Sequence, residues 1–284
     1  MPAQQPFTAL CQAAGRTRHA GRADLHLHTT YSDGCYTPAE VVDLARRAGL
    51  SAVAVTDHDT LGGVGPARAA AAGCAVEVIA GVEITAELHG RELHLLGYFV
   101  APDDLPLNSA LATVRRHRAE RFGAMVERLR QCGVHLDGEA PAAPEALGRR
   151  HLAELLVRAG RVRTVREAFT RYLGDNGRAA VPKKRLPASE ALALVRGAGG
   201  VAAWAHPPYD CTPDGLAELR ALGLGAVEVE YPDVRPSRGR QLRQWAAALG
   251  LAVTGGSDCH GPGRRAVGAC TVSAEELESL RRLV

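Results

Sequence analysis

Two histidines spaced two residues apart follow a short apolar alternation near the start of the chain, within the segment ADLHLHTTYSDG at 23–34. In a β-strand, successive side chains point to opposite faces, so His26 and His28 leave the backbone on the same side. Such a pair can chelate a metal ion. Two histidines on one strand face are also compatible with a polar, solvated edge, so the pair alone leaves both interpretations open.

Further imidazoles and carboxylates come at or just beyond the ends of later predicted strands. With the first pair, they are His26, His28, His58, Glu83, His94, His206, Asp258 and His260. In a closed parallel barrel the carboxyl ends of the strands meet at one mouth, where such enzymes have their active sites. Six of the eleven histidines lie at these positions, which favours a functional cluster over scattered core histidines.

Imidazole and carboxylate groups without cysteine thiolates indicate Zn, Mn or Fe in a catalytic site. Eight or more donors are too many for one ion, and a carboxylate such as Glu83 can bridge two. Two-metal hydrolytic sites clamp the attacking and leaving oxygens of an in-line displacement, and they lower the pKa of a bound water to about 7. The chain contains no GxSxG elbow and no P-loop, so the sequence favours metal-assisted hydrolysis.

The elements that position these residues alternate between short strands and helices. A helix starts at Thr37-Pro38, strands are predicted at 52–55 and 76–84, and an Ala-rich helix at 61–72 separates them. This order is typical of parallel βαβ units. Two further strand segments, 85–88 and 92–99, flank His89-Gly90-Arg91 as a hairpin-like arrangement whose second arm carries His94.

The alternation stops between residues 101 and 185, where helices are predicted at 111–132 and about 148–173, and it resumes from 188 to the end. We therefore predict an N-terminal tail at 1–22, a barrel of roughly seven strands at 23–100 and 186–284, and an inserted helical subdomain at 101–185. The insert has seventeen Arg and Lys against ten Asp and Glu, a local charge of +7 in a chain of net +3. It would attract anions, although a solvated basic face is an equally open interpretation.

Composition excludes some functions. Aromatic residues make up only 4% of the chain, which argues against the stacking platforms of single-strand nucleic-acid binders. No segment approaches the roughly 20 apolar residues of a membrane helix, and residues 1–22 lack the apolar core of a secretory signal. Seven cysteines without a CxxC pair predict reduced thiols and a cytoplasmic location.

The complete set of motifs resembles the PHP (polymerase and histidinol phosphatase) family of metal-dependent phosphoesterases. The matching segments are DLHLHTTYSDG at 24–34, TDHDT at 56–60, GVEI at 81–84, HLLGY at 94–98, AHP at 205–207 and GSDCH at 256–260. The resemblance implies an α/β fold with a distorted seven-stranded (β/α) TIM-like barrel. It also implies two to three divalent ions (Mn, Zn or Fe) and a metal-bridging hydroxide as the attacking group.

The resemblance implies particular ligands for each of three ions. They are His26, His28, Glu83 and Asp258 for one ion; Glu83, His94 and His206 for a second; and Asp33, His58 and His260 for a third. Asp33 stands where some branches of the family have histidine. Asp57 and His260 are the expected catalytic residues: Asp57 would orient a ligand or handle a proton, with a capping or turn role equally open.

The insert resembles the branch that removes the 3′-phosphate from nucleoside 3′,5′-bisphosphates, such as pAp, and that degrades short RNA or DNA from the 5′ end. In that branch the helical insert caps the metal site and binds phosphate and base. The corresponding candidates here are Arg118, Arg121, Arg149, His151 and Lys183. Arg150 departs from the proline expected at its position, which leaves the course of the chain around His151 open.

Two alternatives stay open at this point. The chain could be a phosphatase of another monoester, such as a nucleoside monophosphate or histidinol phosphate, although the basic insert disfavours the cationic histidinol phosphate. It could instead be a metal-binding PHP module without catalysis, which the full ligand set disfavours. We expect a small-molecule nucleotide substrate, possible short oligonucleotide substrates, no membrane association and no obligate protein partner.

Overall fold

The computed structural model describes residues 21–136 and 145–284. Its nine strands are β1 Arg22–Leu27, β2 Ala52–Val55, β3 Glu77–Leu88, β4 Arg91–Tyr98, β5 Leu186–Pro187, β6 Val201–Trp204, β7 Ala226–Glu230, β8 Ala252–Gly255 and β9 Val272–Ser273. The helices of these two ranges are α1 Pro38–Ala48, α2 Val64–Ala71, α3 Leu105–Gln131, α4 Arg149–Arg158, α5 Val165–Ala168, α6 Ala188–Gly197, α7 Pro213–Ala221, α8 Pro236–Leu249 and α9 Ala274–Arg281. A π-helix, Phe169–Leu173, continues α5.

The strands form one sheet in the order β8-β7-β6-β4-β3-β2-β1-β9, with β5 added beside β3. The sheet closes almost completely into a barrel at a seam between β1 and β8. There, His28 N just after β1 donates to Cys259 O just beyond β8, at 3.1 Å. The buried Asp24 carboxylate crosses the same seam and accepts from Ser257 N at 2.9 Å. The predicted α/β barrel is therefore confirmed. Seven of the nine strands have four or more residues, which equals the predicted number of strands. The other two, β5 and β9, have two residues each.

The hairpin β3–β4 differs from the prediction in one respect that matters for the site. His89 and Gly90, with φ of 50° and 74°, form a tight turn, and β4 runs antiparallel to both of its neighbours. His94 therefore pairs with Thr85 near the start of β4, and Glu83 lies within β3. The expectation that both residues end strands was wrong, but reversing the direction of β4 still brings His94 to the mouth.

Two apolar clusters line opposite faces of the sheet. In β2, Val53 and Val55 belong to the cluster shared with the surrounding helices, whereas Ala52 and Ala54 belong to the cluster inside the barrel. In β1 the alternation is interrupted: Leu25 and Leu27 join different clusters across a register irregularity between Asp24 and Leu27, although a regular strand would place both on one face.

The helical insert has an apolar cluster of its own, which includes Met125, Leu129, Leu152 and Leu156. The first turns of α3 belong instead to the outer cluster of the barrel, through Leu107 and others. Helix α3 thus connects the two parts, while the domain boundary at residue 101 stays a prediction. Within the described ranges, no helix combines the length and apolar composition that crossing a membrane requires.

We expect Gly256→Ala to destabilise the barrel. A methyl group at this position, just after β8, would overlap the backbone nitrogen of His26 in β1. Forcing the two segments apart is expected to cost about 1–3 kcal/mol of unfolding free energy. Urea unfolding measures this loss. Gly123→Ala in α3, where a methyl group meets no atom within 4 Å, is the control and should be as stable as wild type or more so. Equal midpoints for Gly256→Ala and wild type would contradict the close approach.

Candidate metal centre

Five imidazole nitrogens lie within 3.3 Å of the carboxylate of Glu83. They belong to His26, His28, His58, His94 and His206. The Oε1 atom lies 2.7 Å from His94 Nδ1 and 3.1 Å from His206 Nε2, while Oε2 faces the other three rings. Only 1% of the Glu83 side chain is exposed, so this carboxylate forms the buried centre of the cluster.

Two further carboxylates complete the cluster. Asp258 Oδ1 lies 3.3 Å from His28 Nε2 and 3.5 Å from both His26 Nε2 and His260 Nδ1. Asp33 Oδ1 lies 3.2 Å from the other nitrogen of His260. All nine predicted metal ligands therefore converge at the mouth of the barrel, from segments between residues 26 and 260.

The donor atoms fall into four overlapping groups, in which all atoms lie within 4.8 Å of one another. These groups are His28, Asp33, His58 and His260; His26, His28 and Asp258; His26, Glu83 and His206; and His58, Glu83 and His94. Glu83 thus shares one group with His94 and another with His206, whereas the implied ligand sets placed both histidines on one ion. The assignment of ligands to three ions stays a prediction.

The buried polar atoms of this cluster fit a metal site. Five of them have no hydrogen-bond partner of acceptable geometry: His26 Nε2, His28 Nε2, Asp33 Oδ1, His58 Nδ1 and Glu83 Oε2. Buried polar atoms without partners are rare because each costs free energy, and here they point toward one another. Divalent ions between the imidazoles and carboxylates would satisfy them, and nitrogen–oxygen donor sets suit Zn, Mn or Fe.

Electrostatics in the metal-free centre follow from this crowding. Burial alone would raise the pKa of Glu83, but the surrounding imidazoles, His58 foremost, hold it well below its usual range. Burial opposes charge on His28 as well, yet the Asp258 and Glu83 carboxylates raise its pKa to about 10. His28 is therefore protonated at neutral pH in the metal-free protein. Metal binding must displace this proton, so metal affinity weakens as the pH falls.

A buried carboxylate behind the cluster orients His26. Glu228, fully buried in β7, has Oε1 3.1 Å from His26 Nδ1, and its other oxygen accepts from the backbone nitrogen of His206. A carboxylate at Nδ1 fixes the tautomer that leaves Nε2 free for metal. Sequence reasoning did not identify Glu228, although a carboxylate within the buried strand AVEVE was a usable signal. It also missed Arg265, which donates to Asp258 Oδ2.

We expect Glu228→Gln to lower metal affinity by about 10- to 100-fold, the usual effect of losing a partner that orients a ligand. The substitution keeps the side-chain shape but removes the charge that holds the His26 proton. Metal affinity can be measured by titration with a chelating competitor. Glu218→Gln is the control, since Glu218 pairs with His89 on the surface. Unchanged affinity in Glu228→Gln would contradict the orienting role.

Asp57 lies one layer behind the predicted metal ligands. It accepts hydrogen bonds from Thr29 N and Oγ1 at 2.7 Å and from Ser32 Oγ at 2.6 Å. Ser32 Oγ lies 3.4 Å from His28 Nδ1, so Asp57 reaches a ligand only through this hydroxyl. The position fits the orienting role, and the proton-handling role stays a prediction.

Arg118 lies at the mouth and is held by the barrel. Its Nε donates to Asp59 Oδ2 at 2.6 Å and its Nη2 donates to Thr85 Oγ1 at 3.0 Å. Burial opposes its charge, but Asp59 raises its pKa above the usual value, so it stays cationic. A fixed guanidinium beside the imidazole cluster is suited to phosphate oxygens.

Three other candidates, Arg121, Arg149 and Lys183, line a cleft of about 490 Å³ between the insert and the barrel. Lys183 Nζ lies 2.6 Å from Glu92 Oε1, and this oxygen lies 3.3 Å from His94 Nε2, so the cleft adjoins the metal centre. Burial foremost, then the neighbouring Arg149, lowers the pKa of Arg121 to about 10. The cleft is therefore a crowded cationic site that an anion would relieve.

His151 is engaged differently from these cations. Its Nδ1 accepts from Gly148 N at 2.9 Å and its Nε2 lies 3.0 Å from Ser32 O, so both ring nitrogens bind protein groups. It caps α4 and ties the insert to the loop after β1. Arg150, in the first turn of α4, pairs with Glu154. A substrate-binding role for His151 stays a prediction.

Comparisons with known proteins agree with this geometry. A family model described as the PHP domain matches residues 24–160. The chain is 32% identical over 246 residues to a 5′-3′ exoribonuclease of Haemophilus influenzae, which covers 84% of this chain and 90% of that protein. It is also 32% identical over 249 residues to a 3′,5′-nucleoside bisphosphate phosphatase of Chromobacterium violaceum, covering 84% and 87%.

Solved structures include a similar chain from Bifidobacterium adolescentis, described as a metal-dependent phosphoesterase. It superimposes with a TM-score of 0.83 at 31% identity, covering 92% of this chain and 96% of the other. At this level of identity and coverage the likeness includes both the barrel and the helical insert.

Proposed function

Because the chain belongs to the PHP domain family and is a hydrolase of phosphate esters, we propose that it removes the 3′-phosphate from nucleoside 3′,5′-bisphosphates, converting pAp to AMP. One observation carries the choice of substrate: the cationic cleft opens directly beside the imidazole–carboxylate cluster. A bisphosphate has one phosphate to react and a second to be held.

Divalent ions held by the imidazole–carboxylate cluster would activate water and neutralise charge on the reacting phosphate. The protein groups around them position the substrate. Arg118, fixed by Asp59 and Thr85 through Nε and Nη2, offers Nη1 to an equatorial oxygen of the 3′-phosphate. Glu228 and Asp57 keep the imidazoles of His26 and His28 in the required orientation.

Arg149, Arg121 and Lys183 bind the 5′-phosphate in the cleft. Each is held by the protein in the free enzyme: Arg149 by Asp175 at 2.7 Å, Lys183 by Glu92 and Arg121 by Val181 O at 2.8 Å. Binding energy from this remote phosphate aligns the 3′-phosphate with the centre. A 5′-phosphorylated oligonucleotide offers the same two groups, so cleavage of short RNA or DNA from the 5′ end is the second activity, favoured by the Haemophilus relative.

A cytoplasmic location is part of this proposal. The six cysteines in the described part of the chain are all free thiols, as a reducing compartment would keep them. The nucleotide substrates proposed above fit that compartment.

A substrate panel tests the proposal. Purified Mn-loaded protein should release phosphate from adenosine 3′,5′-bisphosphate with a kcat/KM at least about 10-fold above that for 3′-AMP, because 3′-AMP has no second phosphate to bind the cleft cations. Preference for histidinol phosphate or 5′-AMP would favour another monoester phosphatase. Stoichiometric metal with no turnover of any ester, including a generic aryl phosphate, would identify a module without catalysis.

A further inference from the structure

The loop that follows His206 is held by a buried arginine from α8. Arg238 is 7% exposed, and its Nη2 lies 3.0 Å from Pro208 O, 3.2 Å from Cys211 O and 2.8 Å from Cys211 Sγ, which share its two hydrogens. The guanidinium lies 4.9 Å from the ring centroid of Trp245 and 5.9 Å from that of Tyr209. Most of its contacts are therefore made with one loop, 207–211.

Arg238 has an unusual charge environment. Among the described residues its hydrogen bonds all go to neutral groups, and its Nε atom is buried without a hydrogen-bond partner. The Gln241 amide oxygen, which accepts from Nη1 at 2.6 Å, takes the place of a counterion together with carbonyl dipoles, a thiol and two aromatic faces. A buried cation without an opposite charge is costly, and such departures from good packing are expected where function requires them.

The loop it holds begins at a predicted metal ligand in a strained conformation. His206 has a φ of 30°, in the left-handed region, and its Nε2 lies 3.1 Å from Glu83 Oε1. The backbone nitrogen of His206 donates to Glu228. The next residue is held as well, because Tyr231 OH donates to Pro207 O at 2.8 Å. Arg91 pairs with Asp210 from β4, and Arg238 reaches Cys211 at the far end of the loop.

We propose that Arg238 is a positioning residue: it fixes the loop 207–211 and thereby keeps His206 directed at the metal centre. The inference rests on the proposed role of His206 as a metal ligand. It does not depend on which phosphate ester is the substrate. Lysine does not reproduce these contacts, because an ammonium group has no planar face for the rings of Trp245 and Tyr209 and no second nitrogen for Gln241 Oε1.

The test compares two substitutions in the same helix, using the full-length protein. Arg238→Lys should lower the affinity of one bound Co²⁺ ion by about 10- to 100-fold and change the visible absorption spectrum of the Co²⁺-loaded protein. Leu242→Ala, which removes a fully buried side chain of α8, should lower the melting temperature at least as much but leave Co²⁺ stoichiometry and spectrum unchanged. Tyr231→Phe, which removes a single hydroxyl contact to the loop, should change the spectrum in the same direction as Arg238→Lys, by less.

Several outcomes would overturn the proposal. Arg238→Lys with wild-type Co²⁺ affinity and spectrum would show that the loop does not need the arginine. Equal metal loss in Leu242→Ala would mean that Arg238 acts only through overall stability. Wild-type protein that binds no Co²⁺ would remove the basis for both this proposal and the metal centre. Wild-type protein that binds Co²⁺ but ignores bisphosphates would refute only the proposed substrate.

Discussion

Replacing Glu83 by glutamine is expected to remove most of the bound metal and to lower kcat/KM for adenosine 3′,5′-bisphosphate by about 10²- to 10³-fold. The carboxylate lies within 3.3 Å of five imidazoles, and no other carboxylate of the described residues contacts as many of the ligands. Glutamine has nearly the same volume, so packing is preserved while the central negative charge is lost. Elemental analysis of metal per chain, combined with steady-state kinetics, measures both effects.

Glu87→Gln provides the matched control for this substitution. Glu87 lies four residues further along the same strand, is 39% exposed and pairs with Arg185 at the surface. It should keep wild-type metal content and activity. If Glu83→Gln retained full metal and a kcat/KM within threefold of wild type, Glu83 would not be the centre of the site.

Arg149→Ala is expected to lower kcat/KM for the bisphosphate by about 10- to 100-fold, the value of a hydrogen-bonded charge pair. Activity on 3′-AMP should stay unchanged, because this substrate has no second phosphate for the arginine to bind. The loss of stability should be small, since its partner Asp175 is 88% exposed. Kinetics on both substrates with the same protein preparation separate the two effects.

Arg150→Ala is the control for Arg149→Ala. Arg150 is adjacent in sequence but pairs with Glu154 along α4, and it does not line the cleft. Its removal should leave both substrates unaffected. A similar fall for both substrates in Arg149→Ala would mean that the cleft does not hold the second phosphate.

Much of the candidate site could be predicted from the sequence because most of its predicted ligands follow short strands. The periodicity placed His26, His28, His58, His206 and His260 near one edge of a barrel, and the structure brings them together there. Glu83 and His94 reach the same edge from within strands, because a two-residue turn at His89-Gly90 makes β4 antiparallel. The sequence pattern indicated the hairpin. It did not indicate that the reversed direction of β4 would bring His94 to the mouth from near the start of its strand.

The supporting residues could not be predicted in the same way. Glu228 and His26 are 202 residues apart, and only the closed barrel makes them neighbours. The contact between Arg265 and Asp258 depends on the course of the glycine-rich loop that joins them. Helix α3 begins at Leu105, six residues before the predicted start, because Asp104 caps it by accepting from Leu107 N. That cap was a local signal that the sequence reasoning overlooked.

The product of one turnover tests the central claim most directly. Mn-loaded protein is incubated with adenosine 3′,5′-bisphosphate, and the remaining phosphate is located by ³¹P NMR. The arrangement of cluster and cleft predicts 5′-AMP and one equivalent of inorganic phosphate, with no reaction after removal of metal by EDTA and recovery on adding Mn. Formation of 3′-AMP, or an unchanged bisphosphate in the presence of fully metal-loaded protein, would contradict the account.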